Sequence, residues 1–366
     1  MSDSTDYKPA FAGSDFETLC ADLAETTGEL NADDAWPGAQ FQRLGEGGVL
    51  GWVIPNTYGG SDISSGDLIC GYERLAGACL VTTFVLTQRN GACLRIAASG
   101  NDDLKSEILP ALCSGERFAT VGVSHLTTSR QHIQEPAVRV EKSDAGWVFN
   151  GTIPWVTGAI YADYIVTGGT CSDGRQVLAV ISTALSGVSA QDPVRLMALN
   201  ASQTGSVALD DVEIEDLFLV AGPVEQVMKQ GKGGGPGSFT TSALACGLAE
   251  AATRRLGEEA QRRPDLVEIH EPLALERQRL SDDLRSVASD QTLTTDVGMN
   301  AESLRQRANS LVLRATQAHL AACKGAGYVQ GHAAERSVRE AMFFLVWSCP
   351  QPVLSAALRE LACVVE

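Results

Sequence analysis

The chain has 366 residues, 44% of them hydrophobic and 20% charged, a balance typical of a globular protein long enough for two or three domains. Its formal net charge of −17 excludes nucleic acid as a main partner, because a phosphate backbone needs clustered Lys and Arg. The same charge disfavours an anionic membrane surface, and a nucleotide cofactor would need local basic residues against that field.

The ten cysteines form no C-x-x-C pair and have no His at ligand spacing, so neither a disulfide framework nor a bound metal is expected. The N-terminus has no basic stretch followed by an apolar core. No apolar run approaches the ~20 residues of a membrane span. The expectation is a cytoplasmic protein with reduced thiols.

The first third reads as helices, with apolar residues at helical spacing over Phe16 to about Glu29, Pro37 to Gly47 and Asp67 to Ala98. Between the second and third lies an extended turn from Gly51 to Ser61, closed by Gly59-Gly60. Ser106 to Ser114 is a further short helix stopped by Gly115. From Arg117 the period changes to two. Strands are expected at 117–123, 136–142, 146–151, 163–168, 176–182 and 205–214, a small β-barrel or sandwich.

After Met228 the pattern is helical again, entered through the glycine-rich run 231–237, which lacks the order of a phosphate-binding loop. Leu244, Leu248 and Leu256 share one face, and Leu273, Leu280, Leu284 and Val287 another. Leu304, Ala308, Leu311, Ala315, Ala318 and Ala322 form a seam suited either to an intramolecular bundle or to a subunit contact. Two last elements, about 334–347 and 352–364, are separated by Pro350 and Pro352. The expected organisation is an α+β chain with an N-terminal helical domain at 1–116, a small β-barrel domain at 117–226 and a C-terminal four-helix bundle at 227–366.

Five motifs in this order resemble the acyl-CoA dehydrogenase family. Gly51 to Ser61 is similar to its "G-x-x-P-x-x-Y-G-G-S" turn, and Leu104 to Glu116 to its "lk…yLP…aGe" stretch. Gly146 to Thr157 resembles "G-y-x-l-n-G-x-K-x-W-I-T", and residues 199–214 resemble "r-x-s-x-t…v-x-f-d-x-V-x-V". Gly325 to Tyr328 with Glu335-Arg336 and Arg339-Glu340-Ala341 resembles "G-G-x-G-y…v-E-R…R-D-A". The resemblance implies FAD in a cleft between the β-domain and the bundle, an acyl-CoA substrate, and a homodimer or homotetramer. It places Trp155 against the isoalloxazine, Thr157 near flavin N5, and Val123 and Ser124 at the pyrimidine edge. A flavin needs such a face, with donors placed to stabilise charge on the reduced ring. The bland alternative is a core tryptophan and a strand-end hydroxyl.

The chain departs from the family at its chemistry. Dehydrogenation removes an α-proton, which calls for a carboxylate base. The family's usual Glu aligns with Ser348, and the alternative base position falls near Gly237. The loop that reads "T-E-P-G-x-G-S-D" in the family runs Ser124 to Gln131 here. That change puts His125 at the glutamate and Arg130 at the substrate-contacting serine. His125 is either an acid or base near neutral pH or a loop imidazole bonded to backbone. Arg130 and His132 are either receivers of a CoA phosphate or an exposed basic pair. Cys349 reads as a nucleophile or, with nothing basic beside it, an inert thiol. Arg277 or Arg279 could supply charge for the FAD diphosphate that the family's "R-x-x-F-G" segment otherwise provides. Three functions stay open: acyl thioester dehydrogenation, different flavin chemistry of the oxidase or monooxygenase kind, and a non-catalytic member of the fold.

Overall fold

The computed structural model describes residues 13–127, 135–229, 239–290 and 297–364. Helices come first: α1 (Ser14–Thr26), α2 (Gly38–Glu46), α3 (Ser65–Ala78), α4 (Leu80–Ala97) and α5 (Asp102–Ser114). The β region follows as β1 (Ala119–Gly122), short α6 (Ser124–Thr127), β2 (Val138–Lys142), β3 (Gly146–Val156) and β4 (Tyr164–Thr170). It continues through β5 (Gln176–Ser182), β6 (Val188–Ala190), β7 (Gly205–Glu215) and β8 (Leu219–Val224). The C-terminal part is helical: α7 (Phe239–Ala260), α8 (Val267–Asp290), α9 (Ala301–Ala322), α10 (Lys324–Gly327), α11 (Ala333–Met342) and α12 (Gln351–Leu361). No helix among the described residues is long and apolar enough to cross a membrane.

The chain forms two compact units. One comprises Met1–Glu29, Ile63–Thr83 and Gly237–Glu366, the other Leu30–Asp62 and Phe84–Pro236. In the first unit, α3 crosses α7 at very close range. A Cβ on Gly247 would stand 2.1 Å from the Glu73 carbonyl oxygen, so only glycine admits this approach. Beside the crossing the Glu73 carboxylate is buried. It accepts a 2.6 Å bond from Ser281 and a 3.5 Å bond from the Cys246 thiol, with Arg277 at 3.7 Å. Burial pushes its pKa up, while Ser281 and Arg277 pull it back. One acid thereby ties α3, α7 and α8 together, because a buried charge must be hydrogen-bonded or paired. The seam of α9 is buried at Leu304, Ala308, Leu311, Ala315 and Ala322, and α9 packs on α7. It therefore serves the intramolecular bundle.

The helix expected over 67–98 is two helices. Cys79 is extended (φ −150°) between α3 and α4, and a β-branched run, Val81-Thr82-Thr83, follows it. The structure caps α3 with Ser64, α5 with Asn101 and α9 with Asn300, each accepting a backbone N–H.

In the second unit the strands form one sheet in the order β6-β7-β3-β2-β4-β5-β8, with β1 pairing β4 in parallel. Side chains from β2, β3, β4, β5 and β7 meet in a single apolar cluster around Phe149, Ile153, Ile165, Ile181, Val207 and Val212, a barrel-like closure. Strand β3 runs five residues beyond the expected end at 151. Pro154 is tolerated because the β3–β7 register shifts between Ile153 and Val156, where no ladder N–H is required. Short β6 and the proline-containing β8 carry too little alternation to be read from sequence.

Gly247→Ala should cost about 2–3 kcal/mol or more, because a methyl meets backbone there. Gly325→Ala, with nothing within 4 Å, should leave stability unchanged or slightly raised. Urea unfolding of the two variants checks the contrast, and equal midpoints would remove the close crossing as a constraint.

Candidate flavin half-site and the residue-348 turn

The candidate half-site lies where β1 and β3 end. Thr167 Oγ1 donates to the Gly122 carbonyl at 2.6 Å, fixing the last residue of β1 on β4. A Cβ on Gly122 would meet Ile153 Cγ2 at 2.6 Å and Val156 Cγ2 at 3.0 Å, so the glycine lets β1 lie against β3. Val123 and Ser124 leave β1 at the same end at which β3 delivers Trp155 and Thr157, and α6 packs on β3. The structure thus brings together these four residues from two separate motifs.

Their surroundings differ. Trp155 is 48% exposed, whereas Thr157 is 5% exposed. Ser202 Oγ lies 2.8 Å from Thr204 Oγ1, and Thr204 donates to Thr157 Oγ1 at 3.2 Å. With its oxygen accepting, Thr157 keeps its own hydroxyl proton available to an outside acceptor. The Gly158 N–H donates to the Ser202 carbonyl at 2.9 Å, closing the turn around Thr157. Gln203, in the left-handed region (φ 46°), donates from Nε2 to the Ala35 and Asp33 carbonyls at 2.8 and 3.2 Å. That anchors the segment carrying Trp36, which stacks on Tyr161 at 4.2 Å and meets Phe118 edge-on at 5.5 Å.

Trp36 lies outside the five motifs, and Ser202, Gln203 and Thr204 fall within the 199–214 motif without a supporting role assigned to them. The available signal was the polar run Asn200 to Thr204 placed directly before a strand.

His125 sits half-buried on α6. Its Nε2 donates to the Gly168 carbonyl at 2.9 Å, which fixes the tautomer and leaves Nδ1 as the acceptor. Nδ1 is buried and has no hydrogen-bond partner among the described residues. Burial pushes the imidazole pKa below its ordinary value, with the Gly168 bond opposing, so the ring is neutral at neutral pH. Arg130, His132 and Gly237 lie outside the described residues.

Ser348 belongs to the other unit. It adopts φ 46°, a left-handed conformation uncommon for a non-glycine residue. The turn before it is held from α9, where the fully buried Arg305 donates from Nη2 to the Phe344 carbonyl at 3.1 Å and the Trp347 carbonyl at 3.0 Å. Asn309 donates to the Phe344 carbonyl at 3.1 Å. Phe343 stacks on Trp347 at 5.0 Å. Burial lowers the Arg305 pKa to about 10, still cationic at neutral pH. Burial also pushes the Cys349 thiol up, against a nucleophilic thiolate. Arg277 is committed to Glu73 within its own unit, whereas Arg279 is exposed.

A family model described as the N-terminal domain of acyl-CoA dehydrogenases matches residues 16–116. A probable acyl-CoA dehydrogenase of Bacillus subtilis is 24% identical over 345 residues, 88% of this chain and 87% of that protein. Residues 16–116 thus match the acyl-CoA dehydrogenase N-terminal domain, and most of the chain is similar to an acyl-CoA dehydrogenase. The chain's fold is that of the family's solved structures, with N-terminal helices, a central β domain and C-terminal helices. A glutaryl-coenzyme A dehydrogenase in complex with glutaryl-CoA superimposes with a TM-score of 0.80 at 18% identity, covering 98% of this chain and 97% of that one. A glutaryl-CoA dehydrogenase from Mycobacterium smegmatis in complex with FADH2 gives 0.78 at 16% identity, covering 97% and 96%.

The Trp36 anchor is expected to be structural. Trp36→Ala should lower stability by about 2–3 kcal/mol through the lost ring contacts. Denaturant titration with near-UV circular dichroism reads it, and an unaltered aromatic spectrum would mean that the Trp36–Tyr161 stack does not form.

Proposed function

We propose that this chain is an FAD-dependent oxidoreductase acting on an acyl thioester, most simply by α,β-dehydrogenation of an acyl-CoA. The observation that carries the reading is the pairing of Val123-Ser124 with Trp155 and Thr157 at one end of the β unit. The residues fit a flavin on their own chemistry. Trp155 offers an open ring face, and Thr157 keeps a donor proton because Thr204 fills its acceptor role. Val123 and Ser124 would take the pyrimidine edge, Trp155 would pack against the ring system and Thr157 would donate near N5. A bound flavin would supply the hydride acceptor that no amino-acid side chain provides. By the same reasoning from the family, the working form is a homodimer or homotetramer.

The chain's own groups limit the reaction. Abstraction of an α-proton needs a base, and the Ser348 hydroxyl is far weaker than a carboxylate. His125 is neutral with its lone pair on Nδ1, so it is a proton acceptor by state. These two observations favour, as a second reading, a flavoprotein of the same fold with oxidase-like or monooxygenase-like chemistry.

Two measurements test the proposal. FAD titration followed by protein fluorescence should give binding that weakens about tenfold or more in Trp155→Ala and Thr157→Ala, roughly 1.4 kcal/mol each. Unchanged affinity in both would rule out this half-site. Ser348→Glu should bring a gain in anaerobic flavin bleaching by acyl-CoAs if only the base is missing. No gain in a flavin-loaded, folded variant favours the second reading.

A further inference from the structure

Glu340 on α11 is 6% exposed and has no hydrogen bond to its carboxylate among the described residues. Its nearest cation is Arg336 Nε, at 4.0 Å. Arg339, the preceding residue, is already engaged by Glu335, including a 3.1 Å Nη2–Oε2 bond. This is a poorly compensated buried acid. Such a group is retained at low cost only in its neutral form.

The charged groups that act on it come from α7 and α11: Arg255 on α7, and Glu335, Arg336 and Arg339 on α11, with the Cys79 thiol at the end of α3 also within its field. Arg255 also faces His319 of α9, around which Glu258 of α7 and the α11 cap His332 stand. We propose that Glu340 is the trigger of a pH-gated element. In its neutral form it lets α11 pack on α7 and α9, and its ionisation loosens α11 together with the 343–347 turn that follows.

The surroundings support Glu340 as the group that changes. Burial pushes its pKa up to about 7, with Arg336, Arg339 and Arg255 holding it below what burial alone would give. His319 is 3% exposed, with its pKa lowered to about 4, so it stays neutral throughout the relevant range. Burial raises the Cys79 thiol, which stays protonated. His332 holds the start of α11, its Nδ1 accepting the Ala334 N–H at 3.1 Å.

The sign follows from linkage. An acid whose folded pKa is raised contributes its full stability below the ordinary carboxylate range. That stability is lost as pH rises toward the folded pKa, and the loss levels off above it.

Hydrogen exchange of the full chain, corrected for intrinsic rates, tests this directly. Between about pH 5 and pH 7, protection across residues 333–347 should fall by up to about tenfold per pH unit and then level off. Peptides from β4 and β5 serve as the control and should not follow this curve. In Glu340→Gln, which mimics the neutral acid, protection should stay flat over the same range. Equal slopes in the wild type and this variant would overturn the proposal. Arg336→Met, which removes the nearest cation, should move the levelling point to higher pH. If Glu340→Gln does not fold, an unmoved levelling point in Arg336→Met overturns the proposal alone.

Discussion

The candidate site depends on the close approach of β1 to β3 at Gly122. The bond from Thr167 sets how far along β4 the strand β1 reaches, and the missing Cβ sets how near it comes to Ile153 and Val156. Together these two facts decide that the chain leaving β1 emerges beside the end of β3. A side chain at 122 would have to displace two buried β-branched residues in the barrel-like core, which are close-packed and yield little. Of the candidate side chains, Trp155 is then carried by β3 itself, while Val123, Ser124 and Thr157 follow directly on the ends of β1 and β3. The Ser202–Thr204–Thr157 hydroxyl chain and the Gln203 anchor hold the one loop that matters most.

The helical unit has its own constraint in the α3–α7 crossing. Glycine at 247 brings the two backbones together, and the buried Glu73 node fixes which helices meet there. A buried acid with good partners, as at Glu73, specifies packing. Glu340, buried without them, makes packing sensitive to pH. The contrast rests on hydrogen bonds at 2.6 and 3.5 Å in one case and a 4.0 Å ion pair in the other.

Much of this architecture was legible in the sequence because it is written in periodicity. The α9 seam, the strands expected at 136–142 (found at 138–142) and 176–182, and the order helices, strands, helices follow from apolar spacing alone. The boundaries that were misplaced involve tertiary exceptions to local rules. Pro154 reads as a strand breaker until the register shift with β7 removes the need for its N–H. Cys79 reads as mid-helix until the chain turns there.

The site was half legible for a related reason. Trp155 and Thr157 stand in one motif and residues 202–204 in another, but the long-range hydrogen bonds that join the two and bring in the segment at residue 36 are encoded by no local pattern. Arg305 likewise serves a turn some forty residues away in the chain. Arg277, read as a possible cofactor contact, proved to be occupied by an internal acid, which only three-dimensional pairing reveals.

The central claim is that the rim built by Val123, Ser124, Trp155 and Thr157 receives a flavin. The most direct measurement is the absorbance spectrum of the purified full chain, with the mass of any released small molecule. FAD at about one per chain, present on purification or taken up on incubation, is the result expected of a built flavin site. A folded protein that stays colourless and binds no FAD would contradict it.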